Sequence, residues 1–165
     1  MKRGFTVVEL LIVILIISIL TAISYPMFTK YKIRAYNAAA LSDLKAVYTT
    51  ELAFYSTYQE FVQISTANIT PSGRIFINVV LLDGNNAVFD YNPLSAHVLA
   101  SSKVDASRTS LVLVTKNTKG TKYFAQDNDF DVVRTKPGVS GQPLQDADVP
   151  ASTPNQDDLV GWDNL

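Results

Sequence analysis

Carboxylates are the side chains of this sequence whose type and spacing could do chemistry, and Glu9 is the most unusual of them. It is the only charged side chain between Phe5 and Tyr25, where the sequence reads FTVVELLIVILIISILTAISY. A charge inside such an apolar stretch costs several kcal/mol unless it is paired. Glu9 therefore requires a partner of opposite charge.

A second group of carboxylates lies in the last third of the chain. Asp127, Asp129 and Asp131 place oxygen ligands at alternating positions, as at the beginning of a calcium-binding loop. An EF-hand loop also needs a glycine and a distal glutamate, and neither is present at the required spacing. The sequence predicts no cofactor other than calcium at these three residues, and a solvated polar turn is the alternative.

Composition and motifs exclude several classes of function. The chain has 165 residues, enough for one domain of ordinary size, and no cysteine, which excludes disulfides, thiolate metal sites and c-type haem attachment. No G-x-S-x-G, P-loop or H-E-x-x-H motif is present, so the sequence predicts a protein that is not an enzyme. The net charge of −1 specifies no contact with nucleic acid.

Two further polar features have plain structural interpretations. His97, the single histidine, falls within a predicted strand and has no second metal ligand beside it, which favours a structural role. Lys116, Lys119 and Lys122 cluster at a predicted hairpin. We expect a solvated edge loop there, because lysines protect strand edges, and a contact with DNA or a surface is the alternative.

The apolar segment from Phe5 to Tyr25 is long enough to cross a membrane, because a helix of that length rises about 32 Å. A cleaved signal peptide fits the basic start and the small residues Ala22 and Ser24, but Glu9 interrupts its apolar region and the segment exceeds the usual ~7 to 15 residues. An uncleaved single-span anchor fits the length and leaves Glu9 unexplained.

A third interpretation follows from the residues that surround Glu9. Gly4-Phe5-Thr6-Val7-Val8-Glu9-Leu10-Leu11 follows a short basic leader and resembles the processing site and helix start of type IV prepilins, G followed by F-T-x-x-E-L-L. The resemblance implies cleavage after Gly4 by a prepilin peptidase and N-methylation of the new N-terminal Phe5. It also implies that Glu9 pairs with the Phe5 amine of a neighbouring subunit.

The same resemblance implies where the protein acts and with what. The precursor would lie in the inner membrane, and an assembly platform with its ATPase would transfer it to an extracellular filament of identical copies. Residues 31–45 resemble pilins of the Geobacter and Desulfovibrio group, which favours a pilus subunit. A pseudopilin of type II secretion, a minor pilin, and a secreted or membrane-anchored binding protein with an ordinary signal peptide are the alternatives. Adhesion, motility, DNA uptake and electron export are not distinguished.

The elements that must position these residues give an α+β fold of the type IV pilin kind. We expect one helix over residues 5–58 with two parts, a membrane or filament-core part at 5–28 and an amphipathic part at 29–60, after a leader at 1–4. Pro26 is predicted to kink the helix or to mark a point where it melts. The buried stripe of the amphipathic part is predicted from three- and four-residue spacing and consists of Leu41, Leu44, Tyr48, Leu52 and Tyr55.

Residues 61–126 are predicted to form an antiparallel sheet of about four strands, whose apolar face covers that stripe. β-Branched and aromatic runs give the strands as Arg74–Leu82, Ala96–Ser101, Thr109–Thr115 and Thr121–Gln126. Residues 127–165 carry many Pro, Gly and Asp residues and are predicted to be an acidic loop region. Leu159 and Trp162 either attach this region to the sheet or leave a loose end.

Overall fold

A computed structural model describes residues 4–165, apart from the side chain of Asp131. The chain divides into two compact units, one that ends at Ala35 and one formed by Tyr36–Leu165. The elements follow one another as α1 (Val7–Tyr58), β1 (Ile75–Val80), β2 (Asn86–Tyr91), β3 (Val98–Val104), β4 (Leu111–Asn117), β5 (Lys122–Asp127), β6 (Phe130–Pro137) and β7 (Asp163–Asn164), with short 3₁₀ turns at Thr66–Asn68 and Asp146–Asp148.

Helix α1 is continuous from Val7 to Tyr58, as predicted within two residues. It contains no glycine, and it ends where Gln59 adopts the left-handed conformation at φ 59° and donates its amide to the Tyr55 carbonyl. Pro26 lies inside the helix and removes one helical hydrogen bond. Its role as a kink or melting point stays a prediction.

The strands form two antiparallel sheets, one of β1 and β2 and one in the order β3-β4-β5-β6-β7. The antiparallel arrangement is confirmed, but the expected number of about four strands is wrong, because the described residues contain seven. Strand β2, which was not among the predicted strands, pairs with β1 from Val80↔Asn86 to Ile75↔Tyr91. Strands β6 and β7 lie inside the region that was predicted to be a loop. Their pairing with neighbouring strands, β5 with β6 from Lys122↔Pro137 and β6 with β7, outweighs the loop-forming composition of these residues.

Strand β4 is buried at every position and therefore has cover on both faces. Leu111 and Leu113 belong to the core cluster that includes Leu44 and Val47 of α1, and Thr115 donates its hydroxyl to the Ala40 carbonyl at 2.8 Å. The alternate residues Val112 and Val114 belong to a second hydrophobic cluster on the other face of the sheet. This cluster also contains Ala125, Leu144, Val149 and Leu159. The predicted cover of the sheet by α1 is confirmed, and Leu159 and Trp162 attach the end of the chain to the opposite face.

The buried stripe of α1 differs from the prediction, because Leu52 is 43% exposed while Glu51 is fully buried. Asp43 is buried as well and accepts hydrogen bonds from the Ser95 amide and hydroxyl. The Glu51 carboxylate accepts the Val62 amide at 3.0 Å. Both acids are stable in the interior because they pair backbone N–H groups that would otherwise lack partners, which a purely apolar stripe does not anticipate.

The interpretations of Lys116 and His97 are both corrected. Lys116 is fully buried, and its ammonium donates to the carbonyls of Val139 and Gln142, so only Lys119 and Lys122 are exposed as expected for an edge loop. Burial lowers the pKa of Lys116. His97 is exposed and precedes β3 in a left-handed turn at φ 68°, because the strand begins two residues later than predicted.

Glu51→Gln should abolish most of the pH dependence of stability between about pH 5 and pH 8. Burial raises the pKa of Glu51 from 4.5 to about 8, so the folded chain holds a proton that the unfolded chain releases in this range. The contribution of Glu51 to stability is therefore greatest below about pH 4.5 and falls by about 1.4 kcal/mol for each pH unit between the two pKa values.

Thermal unfolding followed by circular dichroism measures this effect. The melting temperature of the natural chain should fall as the pH rises, and that of Glu51→Gln should change much less, since the amide oxygen still accepts the Val62 N–H. Asp83→Asn, a change in the turn between β1 and β2, is the control and should keep the natural profile. Parallel profiles for Glu51→Gln and the natural chain would contradict this account.

Candidate functional site

The candidate site is the start of α1, where Gly4, Phe5 and Thr6 precede the first helical residue. All three are exposed, and the Phe5 side chain is 86% accessible. A Cβ added at Gly4 would meet no heavy atom within 4 Å. The fold therefore supplies no steric reason for glycine at this position, and a requirement for it would come from another molecule.

Glu9 and Thr6 form a reciprocal capping arrangement at the first turn. The Thr6 amide and hydroxyl donate to Glu9 Oε2 at 2.8 and 2.9 Å, and the Glu9 amide donates to Thr6 Oγ1 at 3.2 Å. This is the capping box of the T-x-x-E type. The carboxylate also lies at the positive end of the helix dipole, which favours an anion there.

The capping box is a function of Glu9 that our sequence analysis missed. Its signal was available, since threonine followed by glutamate three residues later at the start of an apolar run is the known pattern. Both bonds from Thr6 are accepted by the same oxygen, Oε2. Because an ionised carboxylate offers about four acceptor sites, the cap and a pairing with an external ammonium are compatible.

The surface that follows Glu9 is apolar on every side of the helix. The side chains of leucine, isoleucine and valine from Val7 to Ile23 are 48 to 75% exposed. Among the described residues, α1 is the helix that is long and apolar enough to cross a membrane. Such a surface is stable only when lipid or other apolar helices cover it.

The hydroxyl groups within this surface are paired with the helix itself. Ser18 donates to the Ile14 carbonyl at 2.6 Å and Thr21 donates to the Ile17 carbonyl at 2.8 Å. A hydroxyl that has a local acceptor costs much less in an apolar environment than a free one. The helix therefore presents Glu9 as the single charged group between Phe5 and Tyr25.

The acidic residues proposed for calcium lie at and beside the turn between β5 and β6: Asp127 ends β5, Asp129 lies in the turn, and Asp131 is the second residue of β6. Asp127 accepts the amides of Asp129 and Asp158 at 3.0 and 3.1 Å, and Asp129 accepts the Asn155 amide at 2.7 Å. Within residues 4–165, no group of three His, Cys, Asp or Glu side chains is arranged to hold a metal, although the Asp131 side chain lies outside the described part. Calcium binding stays a prediction.

Comparison with known proteins identifies the family. Residues 1–25 match the family described as the prokaryotic N-terminal methylation motif. The chain is 32% identical over 142 residues to the type IV wide pilus major component of Thermus thermophilus, and the match covers 86% of this chain and 94% of that protein. With its capped apolar helix and antiparallel sheet, the chain belongs to the type IV pilin family.

Two other relatives match over shorter stretches. The type IV major pilin protein of Myxococcus xanthus is 48% identical over 55 residues, 33% of this chain and 25% of that protein. A fimbrial protein of Pseudomonas aeruginosa is 34% identical over 84 residues, 51% of this chain and 54% of that protein. The chain thus spans about a quarter and about half the length of these two relatives. The predicted likeness to type IV pilins is confirmed, and the finer likeness to the Geobacter and Desulfovibrio group stays a prediction.

Thr6→Ala should loosen the first turn of α1 without affecting the rest of the helix. Loss of an N-cap hydroxyl typically costs about 1 kcal/mol, which corresponds to about fivefold faster exchange of the Glu9 and Leu10 amides, both of which donate to Thr6. Hydrogen exchange of the full chain in detergent measures this. Thr49→Ala is the matched control, because that hydroxyl donates to the Lys45 carbonyl within the helix. Equal exchange in both variants would show that the cap is not formed.

Proposed function

We propose that this chain is a structural subunit of a type IV pilus filament and has no enzymatic activity. The observation that carries the proposal is the part of α1 from Val7 to Tyr25, which is apolar on all sides, exposed, and charged only at Glu9 in its first turn. No catalytic motif occurs in the sequence, and the relatives named above are pilins and a fimbrial protein. The particular task of the filament is left open.

The apolar helix accounts for both locations that the proposal requires. In the inner membrane, lipid covers residues 5–28 of the precursor, and in the filament the same residues are covered by copies of the helix. Transfer between these two environments keeps the surface away from water throughout, so the hydrophobic contribution is retained. Because the helix must be pulled out of lipid, an ATPase and an assembly platform are the proposed partners.

Glu9 fixes the axial register between neighbouring helices in this assembly. Bundles of apolar helices pack well at many axial offsets, whereas a carboxylate buried in such a bundle is stable only beside an opposite charge. Cleavage after Gly4 by a prepilin peptidase creates that charge as the Phe5 amine, which is then N-methylated. The open surroundings of Gly4 and the exposure of Phe5 support access of such an enzyme to this bond.

Glu9→Gln should insert into the membrane and fail to form filaments. Glutamine replaces glutamate in a capping box, so this variant keeps the cap and loses only the charge. Thr6→Ala has the opposite effect, since it breaks the cap and keeps the carboxylate, and it should still form filaments. Electron microscopy of sheared filaments, with immunoblots of the membrane fraction, measures both. Abundant normal filaments from Glu9→Gln would rule out the pairing.

Mass spectrometry of the N-terminal peptide tests the processing step separately. Filaments should contain N-methylated Phe5 as their first residue. Gly4→Leu should leave thermal unfolding unchanged, because the space around Gly4 is open, and should accumulate as unprocessed precursor in the membrane. Filaments that retain Met1–Gly4 would contradict the proposal, and a chain that begins at Tyr25 would indicate an ordinary signal peptide.

A further inference from the structure

A cavity of about 230 Å³ lies beside Trp162, between β5, β6 and the residues that follow β6. Tyr123 and Trp162 form its aromatic walls, with ring centroids 6.4 Å apart and ring planes at 75°. Lys136, Gln142 and Asp148 supply its polar groups. The volume is below the roughly 300 to 1,000 Å³ of pockets for drug-sized molecules, so the cavity fits one small ring.

The floor of the cavity is held in place by the buried Lys116. Its ammonium donates to the Val139 carbonyl at 3.0 Å and to the Gln142 carbonyl, and it lies 4.7 Å from the centroid of the Tyr123 ring. A Cβ at Gly138 would lie 2.7 Å from the Tyr123 ring, so the loop packs directly on that ring. The cavity is therefore formed before any ligand arrives, which reduces the entropic cost of binding.

The charges around the cavity disfavour ions of either sign. A cation would meet the ammonium groups of Lys116 and Lys136, which already lie 4.7 and 5.7 Å from the centroids of Tyr123 and Trp162. An anion would meet the Asp148 carboxylate, and the Lys116 ammonium is already used by two carbonyls. The remaining class is a neutral molecule with an apolar face and polar edges.

We propose that this cavity binds a single neutral sugar ring. The C–H face of a pyranose suits the half-buried Trp162, and its hydroxyl groups suit a lysine donor, a carboxylate acceptor and an amide that is both. Lys136 is exposed and its ammonium lies over the Trp162 ring, 5.7 Å from the centroid, so a sugar that stacks on this face displaces the ammonium and takes a hydrogen bond from it at the rim. The site contains neither Glu9 nor Phe5, so a test of sugar binding is independent of a test of filament assembly.

Tryptophan fluorescence tests the proposal directly, because Trp162 is the only tryptophan in the sequence. The full chain in a polyoxyethylene detergent, which has no sugar head group, is titrated with glucose, galactose, mannose and N-acetylglucosamine to about 50 mM, a range that covers millimolar dissociation constants. At least one sugar should give a saturable change in emission. Choline chloride and sodium phosphate, as probes for a cation site and an anion site, should give none.

Two matched lysine variants locate the binding. Lys136→Ala should weaken binding of the active sugar about tenfold, the effect of one lost hydrogen bond. Lys122→Ala, an exposed lysine on β5 that does not line the cavity, should leave it unchanged. Circular dichroism confirms that both variants fold. The proposal is overturned by a flat response to every sugar, by saturation with choline or phosphate alone, or by equal affinity in the two variants.

Discussion

A carboxylate that accepts backbone N–H groups is the interaction on which this structure depends most. Segments between helices and strands have no ladder to pair their amides, and an unpaired buried amide is costly. Acidic side chains pair them at one place after another, and Glu51 does so although burial raises its pKa to about 8. The pairs are Glu9 with Thr6, Asp43 with Ser95, Glu51 with Val62, Glu60 with Leu82 and Asp146 with Thr66.

These contacts explain how one helix serves two different environments. From Val7 to Ile23 the helix has an apolar surface whose hydroxyl groups are paired locally, whereas from Ala40 onward one side is buried in the core of the second unit. Both faces of the five-stranded sheet are covered, one by α1 and the other by the residues around Leu144 and Leu159. The second unit thus carries its own hydrophobic core.

The sequence predicted the structure best where the apolar residues follow a single helical or strand period. The apolar run, the amphipathic continuation and the strands around β1, β4 and β5 follow from period and composition alone. Glu51, Lys116 and β6 do not, because their positions depend on partners that are distant in the sequence, namely Val62, two loop carbonyls and β5. For the candidate site, Glu9 was found as the one charge in an apolar run and Gly4 and Phe5 from the resemblance to type IV prepilins, whereas the cap by Thr6 was overlooked although it is local.

The capping box also bears on the proposed position of cleavage. The Thr6 nitrogen lies 2.8 Å from Glu9 Oε2 of its own chain, and the proposed cleavage after Gly4 would leave it an ordinary amide. A cut one residue later would turn that same nitrogen into an ammonium group beside its own carboxylate. The subunit would then be neutralised internally and would have no free charge to offer another copy. In the proposed mature chain, Phe5 separates the terminal amine from the glutamate of the same molecule.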